Sequence, residues 1–152
     1  MDFNFHMPVH VVSGEGAVAR NSTLLRTLGR RCLIITGGSS AKRSGALADV
    51  TAALDLWEIG WAVYDAVGPN PLVSACHEAG VVARSVRAEF IIGIGGGSPL
   101  DAAKAAAIFA ANEELAPMDI FQREGANPPL PLALVGTTAV SYTHLTLPTN
   151  SR

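Results

Sequence analysis

The residues best placed to do chemistry lie in one run, Gly93-Ile94-Gly95-Gly96-Gly97-Ser98-Pro99-Leu100-Asp101-Ala102-Ala103-Lys104. Glycine leaves backbone amides uncovered and lets them approach a ligand closely, and a glycine loop that opens a helix aims those amides at an anion. The chemistry implied is the holding of a phosphate. Ser98 is placed to cap the helix and Pro99 fits its first position, where no amide is needed. Asp101 follows at the third position, close to a capping box. Two further loops share this make-up, Gly37-Gly38-Ser39-Ser40 and Gly136-Thr137-Thr138. One such loop reads equally well as a tight turn under a packed helix. Three of them, each behind an apolar strand, would line one edge of a parallel sheet, the edge at which α/β proteins bind ligands.

The rest of the chemical inventory is sparse. The run at Gly93 carries Ser98 where the usual dinucleotide fingerprint has its third glycine, and no Gly-Lys-Ser/Thr follows to make a triphosphate loop. Asp101 and Lys104 stand three apart on a helix, which as a surface pair is worth roughly 0.2 to 0.5 kcal/mol. The alternative is that Asp101 holds loop amides, a ribose or a nicotinamide, with Lys104 steadying it. His6, His10, His77 and His144 are isolated from one another and from any metal-type spacing. No Ser/His/Asp set, carboxylate pair or cysteine nucleophile motif is present. The pattern is that of a binding site without a reaction centre of its own.

At 152 residues, 49% hydrophobic and 16% charged, the chain suits one globular unit with ample core. A net charge of -2 and no basic cluster beyond Lys42-Arg43 argue against nucleic acid or an anionic membrane as partner. Cys32 and Cys76 sit among apolar residues without metal or redox spacing, which fits a reducing cytoplasm. The segment from Met1 to His10 lacks a charged-then-apolar leader, and no apolar run approaches the roughly 20 residues of a membrane helix.

Elements that would position the three loops follow from periodicity. Val9 to Val12 reads as a strand, and Ala17, Leu24, Leu25 and Leu28 line a helix stopped by Gly29. Cys32 to Ile35 is a second strand, Ser44 to Ile59 an amphipathic helix ended by Gly60, and Trp61 to Tyr64 a third strand. Pro69-Asn70-Pro71 forces a loop. Leu72, Cys76, Ala79, Ala83 and Val86 mark another helix, followed by the strand from Phe90 to Ile94 and the helix after it. Strands centred near Val11, Leu33, Val63 and Ile92 recur at about the thirty-residue interval of βαβ units, so the expected fold is α/β, a Rossmann-like doubly wound parallel sheet. Between Glu113 and Pro131 the period dissolves, Leu132 to Val135 restores a strand, and from Val140 onward no helical period is left.

The wording Gly95-Gly96-Gly97-Ser98-Pro99-Leu100-Asp101-Ala102-Ala103-Lys104 resembles the signature of the iron-containing alcohol dehydrogenase family. The likeness extends through Ser13-Gly14-Glu15-Gly16-Ala17, Gly37 to Ser40, Pro69-Asn70-Pro71 and Pro131 to Ala139. It implies the N-terminal NAD(P)-binding domain of a dehydroquinate synthase-like two-domain fold, spanning residues 1–139. A helical domain that supplies an aspartate and histidines for Fe2+ or Zn2+ would follow, and here it is absent. The metal would polarise an alcohol oxygen while hydride leaves for the nicotinamide. By resemblance, Gly95, Gly96, Gly97, Ser98 and Asp101 would contact the pyrophosphate and nicotinamide side, Thr137 and Thr138 the opposite flank, and Gly37, Gly38 and Ser39 the adenosine ribose. NAD-preferring members tend to carry an aspartate where Gly37 stands, so the loop with nearby Lys42 leans towards NADP. The implied partners are a nicotinamide dinucleotide, a small alcohol or aldehyde in the full-length protein, and a second copy in a homodimer. Residues 140–152 depart from the family's Gly-Thr-Gly-Ser-Glu type continuation and read as a non-native ending, so this chain by itself is expected to lack turnover. Two alternatives stay open: a dehydroquinate synthase-like or sugar-phosphate lyase, and a stand-alone nucleotide-binding module.

Overall fold

The computed structural model describes residues 9–137 and the backbone of 144–148. Its strands are β1 (Val9–Val12), β2 (Arg31–Gly37), β3 (Gly60–Val67), β4 (Phe90–Gly95), β5 (Leu132–Gly136) and β6 (His144–Pro148). Its helices are α1 (Ala17–Arg20), α2 (Thr23–Arg26), α3 (Ser40–Arg43), α4 (Ala46–Leu56), α5 (Val73–Ser85) and α6 (Gly97–Ala111), with a 3-10 turn at Pro117–Phe121. The strands form one sheet in the order β1-β6-β5-β4-β2-β3. β3, β2, β4 and β5 are mutually parallel, whereas β6 runs antiparallel to both of its neighbours.

Every residue of β4 is buried, as an unalternating apolar strand covered on both faces must be. Successive side chains point to opposite faces. Thus Ile34, Phe90, Ile92, Ile94 and Val135 meet Val18, Leu25, Val50 and Leu54 on one face. Leu33, Ile35, Ile91 and Leu132 meet Ala79, Ala83, Ala103, Ala106 and Phe109 on the other. α4 therefore covers one face while α5 and α6 cover the other, and the sheet is doubly wound. The chain leaves β2 towards β3 and leaves β4 towards β5, in opposite directions. Adjacent strands with diverging connections leave a crevice at their C-terminal ends.

Several local expectations are revised. The single helix expected from Ala17 to Leu28 is two short ones. Asn21 Nδ2 donates to the Ala17 carbonyl at 2.8 Å, and the amides of Leu24 and Leu25 donate to carbonyls only three residues back. A short polar side chain that bonds the backbone locally competes with helix continuation. α4 ends at Leu56 rather than beside Gly60, because Glu58 adopts a left-handed conformation, φ 55°, and Gly60 already belongs to β3. α6 starts two residues earlier than expected, with extended Gly96 as its N-cap and no capping side chain. Ser98 and Pro99 are then its second and third residues and Asp101 its fifth, so no capping box forms. The order of the strands, which periodicity leaves open, places β1 at the far edge, against β6. β6 falls where no structure was expected, and its Leu145-Thr146-Leu147 alternation has the period of a strand. Among the described residues no helix is long and apolar enough to cross a membrane.

Candidate functional site

The crevice at the C-terminal ends of β2 and β4 is an open cleft of about 350 Å³. Gly37 to Ser40 and Arg43 form one wall, Gly96 to Pro99 the facing one, and Val67 to Pro69 the rim. Two of the three loops singled out in the sequence are thereby brought together, with Gly37, Gly38, Ser39, Gly96, Gly97 and Ser98 all lining the space. Gly95 lies just beneath them at the end of β4.

The glycines divide into two kinds. Gly95 has φ 143°, and a Cβ there would stand 2.8 Å from Pro99 Cγ. At Gly37 a Cβ would stand 2.9 Å from the Val67 carbonyl oxygen and 3.1 Å from Pro99 Cγ. These two glycines are required by packing. Gly38, Gly68, Gly96 and Gly97 have no atom within 4 Å of a built Cβ. Their missing side chains leave open volume in which a ligand can reach the backbone. α6 adds its N-terminus: the amides of Gly97 and Ser98 precede the first intrahelical acceptor, Pro99 has no amide, and the positive end of a fifteen-residue helix faces the cleft. A phosphate would find donors and a favourable field there.

The third loop attaches from the side. Thr137 donates its amide to the Gly95 carbonyl at 2.9 Å, which ties the end of β5 to the end of β4. Its Oγ1 is buried and has no hydrogen-bond partner among the described residues. Thr138 lies outside the described residues. Asp101 does not line the cleft. Its carboxylate meets Lys104 Nζ at 3.3 Å, with the two side chains 73% and 55% exposed.

Among the cleft-lining residues there is no carboxylate and a single cation, Arg43. The sequence pointed to Lys42 instead, but Lys42 borders a different hollow with Leu47, Thr51 and Trp61. Adjacent residues on a helix project about 100° apart, so only the fold shows which of the pair turns inward. Away from the cleft, four titratable groups are packed into the fold. Burial pushes the Cys32 thiol up to about 12 and raises that of Cys76. Burial, and then the hydrogen bond to Glu78, raise the Tyr64 hydroxyl. His77 packs edge-on against Phe109, with ring centroids 5.0 Å apart. Among the described residues no three His, Cys, Asp or Glu side chains stand together as metal ligands.

A doubly wound sheet with a glycine-lined cleft at its switch point defines an α/β domain of the kind that binds ligands at that edge. Residues 8–146 match the family model for iron-containing alcohol dehydrogenases, and the chain belongs to that family. It is 33% identical over 138 residues to the lactaldehyde reductase of Escherichia coli, an alignment that covers 88% of this chain and 36% of the relative. It is 35% identical over 129 residues to the NADPH-dependent aldehyde reductase YqhD of the same species, covering 82% of this chain and 32% of the relative. Among solved structures, an iron-containing alcohol dehydrogenase of Thermotoga maritima superposes with TM-score 0.85 at 36% identity, covering 91% of this chain and 38% of that one. The chain thus spans about a third of the length of these relatives and corresponds to an N-terminal part of them.

Proposed function

We propose that this chain is the coenzyme-binding part of a metal-dependent, NAD(P)-linked alcohol or aldehyde oxidoreductase and that the cleft between β2 and β4 holds the dinucleotide. The observation that carries this reading is the pair of facing glycine walls with open space above Gly38, Gly96 and Gly97, at the N-terminus of α6. In this reading the amides of Gly96, Gly97 and Ser98 bind the pyrophosphate, with Gly95 shaping the turn beneath them. Gly37, Gly38 and Ser39 border the adenosine ribose, and Thr137 and Thr138 flank the nicotinamide side, where the unpartnered Thr137 hydroxyl is free to donate. Asp101 is assigned to the nicotinamide end, reached from its exposed position on α6. The nicotinamide, when bound, carries hydride to or from a small alcohol or aldehyde. The metal does not fit the described residues, which hold no ligand cluster, and none of them is assigned to it.

The coenzyme is proposed to be NADP, since a carboxylate-free cleft does not repel a 2′-phosphate. Two further parts of the reading are a cytoplasmic location, supported by two buried and unpaired cysteines, and a homodimer, which sedimentation velocity would read. Residues 140–152 are proposed to be a non-native ending behind the coenzyme domain 1–139. Resequencing through the codon for Ala139 tests this, and an uninterrupted frame for the same tail in the expressed protein refutes it.

The central test is fluorescence titration of the 152-residue chain with NADPH and NADH. Saturable binding is expected, and an Asp101→Ala variant that folds as the parent does should bind more weakly. Absence of binding by the parent chain removes the reading as a whole. Unchanged binding by the variant returns Asp101 to a plain helix-surface pair.

A further inference from the structure

We propose that a hollow at the pole of the sheet opposite the cleft is a second ligand site, which takes the phosphate of a small organic phosphomonoester between Arg26 and Arg30. The hollow has a volume of about 540 Å³ and is lined by Arg26, Gly29, Arg30, Trp57, Glu58 and Ile59. It lies where β2 and β3 begin, whereas the cleft lies where β2 ends, and the seven residues of β2 separate the two by roughly 20 Å. Neither its geometry nor its test depends on the dinucleotide reading. The Arg26 guanidinium stands over the Trp57 ring, 4.9 Å from the centroid, and Trp57 Nε1 donates to the buried Ser22 hydroxyl at 3.0 Å, so the platform under the cation is itself pinned. Stacking fixes the plane of a guanidinium and leaves its N–H edge free. The backbone of Arg30 is held on both sides, its amide donating to the Glu89 carboxylate and its carbonyl accepting the Gly60 amide at 2.9 Å. Both arginine side chains are exposed, and neither makes a hydrogen bond or ion pair with any described residue. Their paired N–H donors are unspent and match two oxygens of one phosphate.

Glu58 sets the charge of the occupant. It borders the same hollow, so two guanidiniums and one carboxylate leave a single net positive charge there. That balance favours one phosphate and disfavours pyrophosphate, whose additional charge would meet the Glu58 carboxylate. The cleft has the opposite make-up, with no carboxylate in its lining. Ile59 is buried and Trp57 half-buried, and they give the hollow an apolar part against which the organic portion of a ligand can pack. Small-molecule sites combine apolar walls with a few placed polar groups in this way. Inorganic phosphate would use the charged part alone and should bind more weakly.

The test is a titration of the intact 152-residue chain with phenyl phosphate, inorganic phosphate and pyrophosphate at constant ionic strength, followed by NMR of the indole and backbone N–H groups. The chain has two tryptophans, Trp57 and Trp61, so a W61F variant assigns the Trp57 Nε1–H signal. Phenyl phosphate should shift that signal saturably and bind more tightly than phosphate or pyrophosphate. R26Q and R30A should each weaken it by about tenfold, the size expected for losing a charge-assisted contact. E58Q should improve the binding of pyrophosphate. Shifts confined to the Gly97 and Ser98 amides would put the phosphate in the cleft and overturn the proposal while the coenzyme reading stands. A Trp57 signal that does not saturate in the millimolar range, or that responds equally in R30A, overturns it as well. R30A can be prepared folded, because the side chain it removes is exposed and unbonded among the described residues.

Discussion

Pro99 acts as a wedge between two glycines, since its ring is the atom group that a Cβ at either Gly95 or Gly37 would strike. Gly95→Ala adds that clash to a backbone conformation with φ 143° and should lose roughly 1–3 kcal/mol of stability in chemical denaturation. Gly96→Ala, with open space and negative φ, should lose well under 1 kcal/mol on the same assay, about what a cap position costs. The sequence shows that both are glycine but not which is required by packing and which is open to a ligand. That difference depends on where Pro99 ends up, three residues into α6. The same holds for Lys42 and Arg43, whose order in the chain says nothing about which one faces the cleft. Cys32 gives a residue-scale prediction in pH. Its thiol stays protonated in the folded chain up to about 12, while in the unfolded chain it ionises near its ordinary value of 9.0. Above pH 9 the unfolded state holds fewer protons, so stability should be full below that pH and decline as the pH rises towards 12. Alkaline denaturation monitored by circular dichroism reads the decline, and slow thiol labelling at pH 8 in the folded state checks that the group is closed off.

The segment between α6 and β5 was legible only as a loss of period, yet it is held as firmly as a helix end. Buried Asn112 donates to the carbonyls of Ile108 and Asn127, each at 2.9 Å, and accepts the Asn127 amide at 2.7 Å. Gly125 packs directly on its side-chain amide, leaving no room for any larger residue. Asp119 and Glu114 accept the amides of Ala116 and Ala126; the bond from Ala116 holds the Asp119 carboxyl below the usual range, and Glu114's own backbone amide, then that of Ala126, hold the Glu114 carboxyl below it. Periodicity finds elements that bury one apolar face, and this loop is fixed instead by polar groups satisfied one by one. Asn112→Ala would strand two carbonyls and an amide and should destabilise the chain by about 2–4 kcal/mol. Faster hydrogen exchange at Ala126 and Asn127 than at β4 amides would locate the loss. The α1 and α2 break was illegible for a related reason. Leu24, Leu25 and Leu28 have helical spacing, but Asn21 bonds backward and ends the helix before they are reached.

For the molecule as a whole, the repeat of strand and helix and the burial of β4 were readable because both faces of the sheet are covered and the apolar runs do not alternate. The order of strands was not readable, since a thirty-residue interval says how many crossovers exist and not which way each one turns. β1 and β6 show the limit most clearly. The first strand in the chain is hydrogen-bonded to the last and is separated from β2 by three strands. The candidate site depends on that same order, because the cleft exists only where β2 and β4 lie side by side.

This adjacency has a kinetic consequence. Cys32 pairs with Phe90 and Ile34 with Ile92, so α3, α4, β3 and α5 form the stretch of chain that separates two strands which end as neighbours. Closing such a long stretch carries an entropic cost that is met before the pairing rewards it, and contacts distant in sequence form slowly. Helix signal should therefore return early in refolding, while competence to bind NADPH follows later, once β2 and β4 have paired. Stopped-flow circular dichroism set beside coenzyme fluorescence would show this lag, and simultaneous recovery would mean that β2 and β4 meet in the first collapse. A nascent chain accordingly gains its cleft only once β2 and β4 have paired, and coenzyme held there would report that this pairing has formed.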